Sequence, residues 1–218
     1  MPSSATTKKN EHRRRRSPEA RPQQILDAAL EIFGEQGLAA ARLDDIASRA
    51  GIAKGTIYLY FPTKDELFKA VVRREVVTRI EAAERFQRDH AELPSDQLLR
   101  LFLANYWNSI QQKTSTAMFR IVMSEIQKFP DLSEFYGREV IARAWSVVAS
   151  MIQRGIDRGD FRPVDANLVT RVCVASFLMH AIWMSPDSPT HPMLKHLKRD
   201  ELRDSLIDFF LSSLAPRA

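Results

Sequence analysis

The sequence predicts an all-helical protein. Glycine is scarce, at 7 of 218 residues, and strict alternation of apolar and polar residues, the mark of a half-buried strand, is hard to find. Apolar side chains instead recur at spacings of three and four over long stretches, which gathers them on one face of a helix. Hydrophobic residues make up 44% and charged residues 27%, enough for a real core with a soluble surface. The length allows one large domain or a small and a medium one.

The elements follow in order. Pro22 suits a first helical turn, Ile25, Ala29, Ile32 and Phe33 follow at helical spacing, and Gly34 and Gly37 close the segment. A short helix at 43–50 places Leu43, Ile46, Ala47 and Ala50 on one side and ends at Gly51. A third short helix spans about 54–60 and breaks at Phe61 and Pro62. Thr63 is a good N-cap for the next one, whose first turn holds Asp65 and Glu66. No Gly or Pro interrupts that helix up to Asp89. Longer helices are expected at 95–111, 115–127, 132–156, 165–184 and 195–214, with Pro130, Gly155, Gly159, Pro163 and the Pro186/Pro189/Pro192 loop at the joints.

The net charge of +5 is unevenly placed. Lys8, Lys9, Arg13, Arg14, Arg15 and Arg16 stand against Glu11 alone, so residues 1–16 carry all of it and the remainder is balanced. Such a tail is expected to be disordered in isolation. It reads either as a solvated terminus or as an arm lying along phosphates or in a minor groove. No apolar segment of signal-peptide type follows it, and no apolar run approaches the roughly 18 residues of a membrane span. The single cysteine, Cys173, excludes an internal disulfide framework. A cytoplasmic protein without membrane contact is expected.

The stretch from Arg42 to Lys64 carries the functional signal. Two short helices joined by a tight glycine turn, with a small residue at their crossing, form the helix-turn-helix pattern. Ala47 permits close approach, Gly51 supplies the turn, and Ile52 and Ile57 anchor the second helix to the core. Lys54, Thr56 and Tyr58 are then expected to point outward, where a recognition helix meets base edges in a major groove. Tyr hydroxyls and Lys64 are placed for phosphates, which fix orientation without reading sequence. The alternative on these residues alone is an ordinary helical corner with a solvated Lys and Tyr.

The segments ILDAALEIFGEQG and LDDIASRAGIAKGTIYLYFPTKDEL, between Ile25 and Leu67, closely resemble the N-terminal domain of the tetracycline-repressor (TetR/AcrR-like) family. The resemblance implies that Lys54, Gly55 and Thr56 approach bases, Gly55 because its missing side chain allows backbone contact. It implies that Tyr58, Tyr60 and Lys64 hold phosphates. Two departures stand out. Thr or Ser is common in that family where Ala41 and Arg42 stand, as helix cap and phosphate ligand. Ala41 cannot cap, at a cost of about 1 kcal/mol, and Arg42 can replace the phosphate contact with a charged one. Leu59 stands where some members carry an aromatic, which leaves its contact to DNA open. The implied organisation is a basic arm (1–18), a helix-turn-helix domain (19–79, motif about 42–61) and a helical regulatory and dimerisation domain (80–218).

The second domain is rich in aromatic and Met side chains, which suit an adaptable apolar pocket and equally a plain core. Trp107, Met118, Phe119, Met123, Trp145, Phe177 and His180 are the candidates for a small-molecule effector site. Cys173 and His180 lie seven apart on one helical face, with His191 and His196 nearby in sequence. A metal site can be drawn there, but none of the zinc spacings is present, and no metal or cofactor is expected. Val169, Val172, Ser176 and Met179 form one stripe, and Leu202, Leu206, Phe209 and Phe210 another. These are candidate dimer surfaces on helices 165–184 and 195–214, or else intrachain packing. The resemblance implies a four-helix contact there, holding a homodimer on a palindromic duplex operator.

Two other function classes compete. An enzyme would need a motif that is missing: there is no Gly-rich phosphate loop, nucleophile elbow or His-Glu zinc motif. A ligand-independent architectural DNA binder would bind any sequence with a steep salt dependence. The favoured expectation is a sequence-specific transcriptional regulator, a repressor released from its operator by a small, largely apolar ligand.

Overall fold

The computed structural model describes residues 21–186, 188 and 190–216, and every regular element among them is helical. The basic arm expected at 1–18 lies outside the described residues. The head is built from α1 (Arg21–Ala40), α2 (Leu43–Ala50), α3 (Lys54–Tyr60) and the first part of a long rod, α4 (Lys64–Val72). Ile25, Phe33, Leu38, Ile46, Ala47, Ile57, Leu67 and Phe68 are fully buried between them. Phe33 meets Phe68 edge to face at 5.8 Å between centroids, a pairing worth about 0.5–1.5 kcal/mol beyond area burial. On the surface Arg49 of α2 bridges Glu31 and Glu35 of α1, at 2.9 and 2.8 Å.

The spacing rules place the rod correctly but not its winding. The helical path runs on from α4 into α5 (Thr78–Asp89), yet Arg73–Val77 between them is wound as a π-helical turn. Five helices of the larger domain follow: α6 (Ser95–Ile110), α7 (Lys113–Glu125), α8 (Pro130–Tyr136), α9 (Arg143–Asp157) and α10 (Ala166–Trp183). A short α11 (His191–Leu194) and a final α12 (Arg199–Leu214) complete the order. A second π-helical segment, Gly137–Ala142, joins α8 to α9 and packs against the first. Pro130 opens α8 at its first turn, as expected of a residue with no N–H to donate.

The two halves are tied through α7. It packs along α1, and its start is held to the rod by Arg79, whose guanidinium donates to Ser115, to Gln112 Oε1 at 3.1 Å and to Thr114 Oγ1 at 2.9 Å. Arg143 clasps Glu84 with both oxygens within 3.1 Å, fixing α9 to the rod.

One expectation fails here. By length and composition α10 is apolar enough to cross a bilayer, contrary to the reading that no run approaches that limit. Its apolar residues serve two faces. Ala166, Thr170, Cys173, Phe177 and Ala181 are buried in the chain, whereas Leu168, Val172, Met179 and Trp183 stay exposed.

Candidate nucleic-acid interface and ligand core

Gly51 makes the turn between α2 and α3. Its φ of 67° and ψ of 36° lie in the left-handed region that a Cβ disfavours. The N–H of Ile52 returns to the Ala47 carbonyl at 3.0 Å, which also accepts from the Gly51 N–H, and together they close the end of α2. Ile57 is fully buried and pins α3 to the core. The N-cap of α2 is Arg42 and makes no side-chain cap bond. Ala41 is instead buried, so the missing cap belongs to Arg42, whose side chain is exposed at the start of α2.

Helical geometry then sorts the α3 side chains. Lys54, Gly55, Tyr58 and Leu59 are exposed, while Thr56 and Tyr60 are half-buried. Lys54, Thr56 and Tyr58 therefore do not share the outward face. Two residues along a helix rotate by about 200°, which turns Thr56 away from the other two. Lys54 Nζ pairs with Asp44 Oδ2 of α2 at 2.9 Å. That hydrogen bond holds the Asp44 carboxyl below the usual carboxylate range, with a smaller contribution from the Tyr58 hydroxyl, and raises the Lys54 ammonium in return.

Lys64 has a different occupation from the phosphate contact expected of it. Its ammonium donates to the Ala39 carbonyl at 2.9 Å and the Ala41 carbonyl at 3.0 Å. It thus closes the end of α1, where helical carbonyls lack partners. The same turn is held from the other side by Glu125, the last residue of α7, whose Oε2 accepts from the Ala39 N–H at 2.7 Å. This seat exists because α1 breaks at Gly37 (φ 79°, ψ 165°), where a Cβ would fall 2.0 Å from Glu125 Oε1. Sequence reading missed Glu125, and nothing local to residue 125 signals its role.

The candidate ligand residues are not all brought together. Trp107 and Phe177 are fully buried and meet edge to face at 5.9 Å. Phe177 also faces Tyr106 at 6.2 Å and Phe210 at 6.2 Å, so one aromatic cluster joins α6, α10 and α12. Met118 is buried and Phe119 half-buried on α7. Met123 is 61% exposed, because α7 buries Met118, Ile121 and Val122 on its other face. Trp145 is half-buried beneath the Arg171 guanidinium, 5.3 Å from its ring centroid. The His180 ring donates from Nδ1 to the Ser176 carbonyl at 2.8 Å, a local bond within α10.

The core of this domain holds unused polarity. Trp107 Nε1 and Thr170 Oγ1 are buried without a hydrogen-bond partner. Burial pushes the Cys173 thiol and the Tyr136 hydroxyl each up to about 12, and pushes the Tyr106 hydroxyl higher still. Two surface clefts of about 190 and 230 Å³ lie elsewhere and are lined largely by charged or polar side chains such as Arg143 and Arg73. Neither matches an apolar ligand. Phe210, expected on the dimer stripe, is buried in the chain's own core, while Phe209 beside it is 65% exposed.

Comparison with known proteins covers both halves. Residues 25–71 match the family described as bacterial regulatory proteins, tetR family, and residues 88–200 match the tetracyclin repressor-like C-terminal domain. The HTH-type transcriptional repressor KstR2 of Mycolicibacterium smegmatis is 28% identical over 176 residues, covering 79% of this chain and 83% of that protein. The HTH-type transcriptional regulator RutR of Escherichia coli is 36% identical over 81 residues, 37% of this chain and 38% of its own. Among solved structures, NalD of Pseudomonas aeruginosa, described as the secondary repressor of a multidrug efflux pump, superposes with a TM-score of 0.72 at 20% identity, covering 92% of this chain and 99% of that one. The ketosteroid transcriptional regulator KstR2 of Mycobacterium tuberculosis gives 0.68 at 23%, covering 92% and 98%. The transcriptional regulator FadR of Bacillus subtilis, solved with stearoyl-CoA, gives 0.68 at 18%, covering 88% and 98%.

Proposed function

The chain belongs to the TetR family of bacterial transcriptional regulators, a DNA-binding head joined to a ligand-binding helical domain, and from that premise we propose how it works. It is a cytoplasmic homodimeric repressor that holds a palindromic operator through two copies of α3 and releases it when a small, largely apolar ligand enters the aromatic core. The observation that carries the DNA half is the outward row of Lys54, Gly55, Tyr58 and Leu59 on α3, set by the Gly51 turn. Arg42 and Tyr60 flank that row and are assigned to phosphates. Thr56 approaches a base only from the edge of the helix. Lys64 serves the head by closing α1.

The apolar residues left exposed on α10 and α12 support a dimer. Leu168, Val172, Met179, Trp183 and Phe209 are each between 39% and 65% exposed, an arrangement that water disfavours and a second copy would cover. One recognition helix spans few base pairs, and two-fold pairing doubles the reading.

The ligand reading rests on the orphaned Trp107 Nε1. An unpartnered buried donor costs about 1–3 kcal/mol, which a hydrogen-bond acceptor on a bound molecule recovers. We therefore assign Trp107, Phe177 and Met118 to the lining, with Phe119 and His180 at its edge, and the ligand to an apolar skeleton carrying a carbonyl or carboxylate. The stearoyl-CoA bound to FadR and the description of KstR2 as a ketosteroid regulator point the same way. Release follows as a population shift, since the ligand favours a dimer whose heads no longer fit the operator spacing. The tie from α7 to the α1 turn through Glu125 carries the movement. The test is footprinting on DNA flanking the protein's own gene, followed by titration with stearoyl-CoA and with a ketosteroid. Protection of a two-fold site that is lost on adding either ligand supports the proposal. Protection unaffected by any molecule that perturbs the fluorescence of the wild type but not of Trp107→Phe, two further tryptophans being present, overturns the release mechanism.

A further inference from the structure

The reading row of α3 ends on a side chain that none of the polar contacts uses. Leu59 is 83% exposed, the most exposed large hydrophobic side chain among the described residues. It lies one turn beyond Gly55, so the two share a ridge of the helix. A Cβ built on Gly55 would meet nothing within 4 Å, so that stretch of the ridge is bare backbone with open space in front of it. The neighbouring ridge behaves differently, because Lys54 and Tyr58 are both drawn toward Asp44 on α2. The outermost part of the head is therefore an unobstructed backbone step followed by an isobutyl group. Leaving that group in water wastes its apolar surface, at about 25 cal/mol for each Å² that could be covered.

We propose that Leu59 is a specificity residue that reads the C5-methyl group of a thymine in each operator half-site. The inference rests on α3 being the recognition helix. In the major groove each base pair presents a distinct pattern, and thymine alone of the four bases offers a methyl group for apolar contact. The open space at Gly55 lets the helix sink far enough for the side chain one turn later to reach the base edges. A phosphate or sugar contact would not use this chemistry, because leucine can neither donate nor accept a hydrogen bond. The residue thus contributes discrimination against cytosine at one position, separate from whatever Lys54 and Tyr58 read.

The experiment uses the full-length protein and an operator defined by footprinting. Each thymine on both strands is replaced singly by deoxyuridine, which removes only the methyl group. Dissociation constants are measured by fluorescence anisotropy for the wild type and for Leu59→Ala. One thymine per half-site is expected where the wild type loses about threefold to fivefold, the worth of one buried methyl-sized group. In Leu59→Ala the same replacement is expected to change binding by less than about 1.5-fold, within the additivity error of independent sites. The change at so exposed a position leaves the fold intact, which circular dichroism checks, and the uracil series on the wild type stands without it. Uracil effects that are absent from the wild type, or equal in both proteins, overturn the proposal while leaving sequence-specific binding in place. Absence of any preferred sequence overturns the recognition-helix reading and this assignment with it.

Discussion

Gly37 and Glu125 form a couple whose energetics follow from the geometry of one turn. Gly37 sits at φ 79° and ψ 165°, a region essentially reserved for glycine, and holding another residue there costs about 1–3 kcal/mol. Gly37→Ala also places a Cβ 2.0 Å from Glu125 Oε1. The carboxylate is the flexible end of a side chain, so it moves aside and releases the Ala39 N–H that it holds at 2.7 Å. That partly exposed bond is worth about 1 kcal/mol. The alanine variant is therefore expected to lose about 3 kcal/mol in all, adding backbone strain to the lost bond. Glu125→Ala loses only the bond, about 1 kcal/mol. In the double variant the bond is already gone and the new methyl group meets no carboxylate. Its cost is expected to equal that of Gly37→Ala alone, giving a coupling of about 1 kcal/mol. Urea unfolding at fixed protein concentration, followed by circular dichroism, supplies the four free energies. Costs that add to within about 0.3–0.5 kcal/mol would refute the couple, and a Gly37→Ala cost below about 1 kcal/mol would refute the strained backbone.

Other expectations concern the reading face, the core and the tail. Asp44→Asn frees Lys54 and removes an anion beside the DNA, so affinity for unrelated duplexes should rise by roughly twofold to fivefold at low salt, the worth of one exposed ion pair. Anisotropy on a scrambled duplex checks this, and unchanged or weaker binding would count against the Lys54–Asp44 geometry. Cys173 is buried, with its thiol pushed up to about 12. A raised acid pKa favours the neutral form, so little thiolate exists at pH 8 in the folded protein and any stabilisation from this group fades as pH rises past the unfolded value of about 8.5. Ellman's reagent at pH 8 should react slowly with the native protein and fast after denaturation; equal rates would contradict the burial. Deleting residues 2–16 removes a net charge of +5 and should weaken binding to all DNA while flattening the salt slope. An unchanged slope makes that segment a solvated terminus.

Much of the fold is legible because breakers punctuate it. Gly51, Pro94 and Pro130 stand at helix ends, Gly37 kinks α1 shortly before its end, and Pro163 lies in the loop between α9 and α10; between them the spacing of three and four is nearly unbroken. The winding of the rod is not legible. The π turn at Arg73–Val77 has no residue signature that would set it apart from ordinary α-helix in the sequence. Thr56 was legible in principle, since 100° per residue separates it from Lys54 and Tyr58. The occupations of Lys64 and Glu125 were not, because they depend on where the end of α1 comes to rest. Pocket and core draw on the same side chains, so composition could not separate buried Trp107 from exposed Met123. The orphaned indole nitrogen separates Trp107 from plain core, and only coordinates reveal it.

The chain is proposed to read a two-fold DNA sequence through α3. Its head carries five basic side chains against six acidic ones over residues 17–64, so specific recognition must come from a few placed donors and contacts and not from bulk charge. The direct measurement is selection from a random duplex pool by the full-length protein and, in parallel, by Lys54→Ala/Tyr58→Ala. The wild type is expected to enrich one inverted repeat, with half-site centres about a helical turn or more apart, and the variant to lose that preference while still binding DNA. Enrichment of no sequence by the wild type, or of the same repeat to the same degree by the variant, would contradict the proposal.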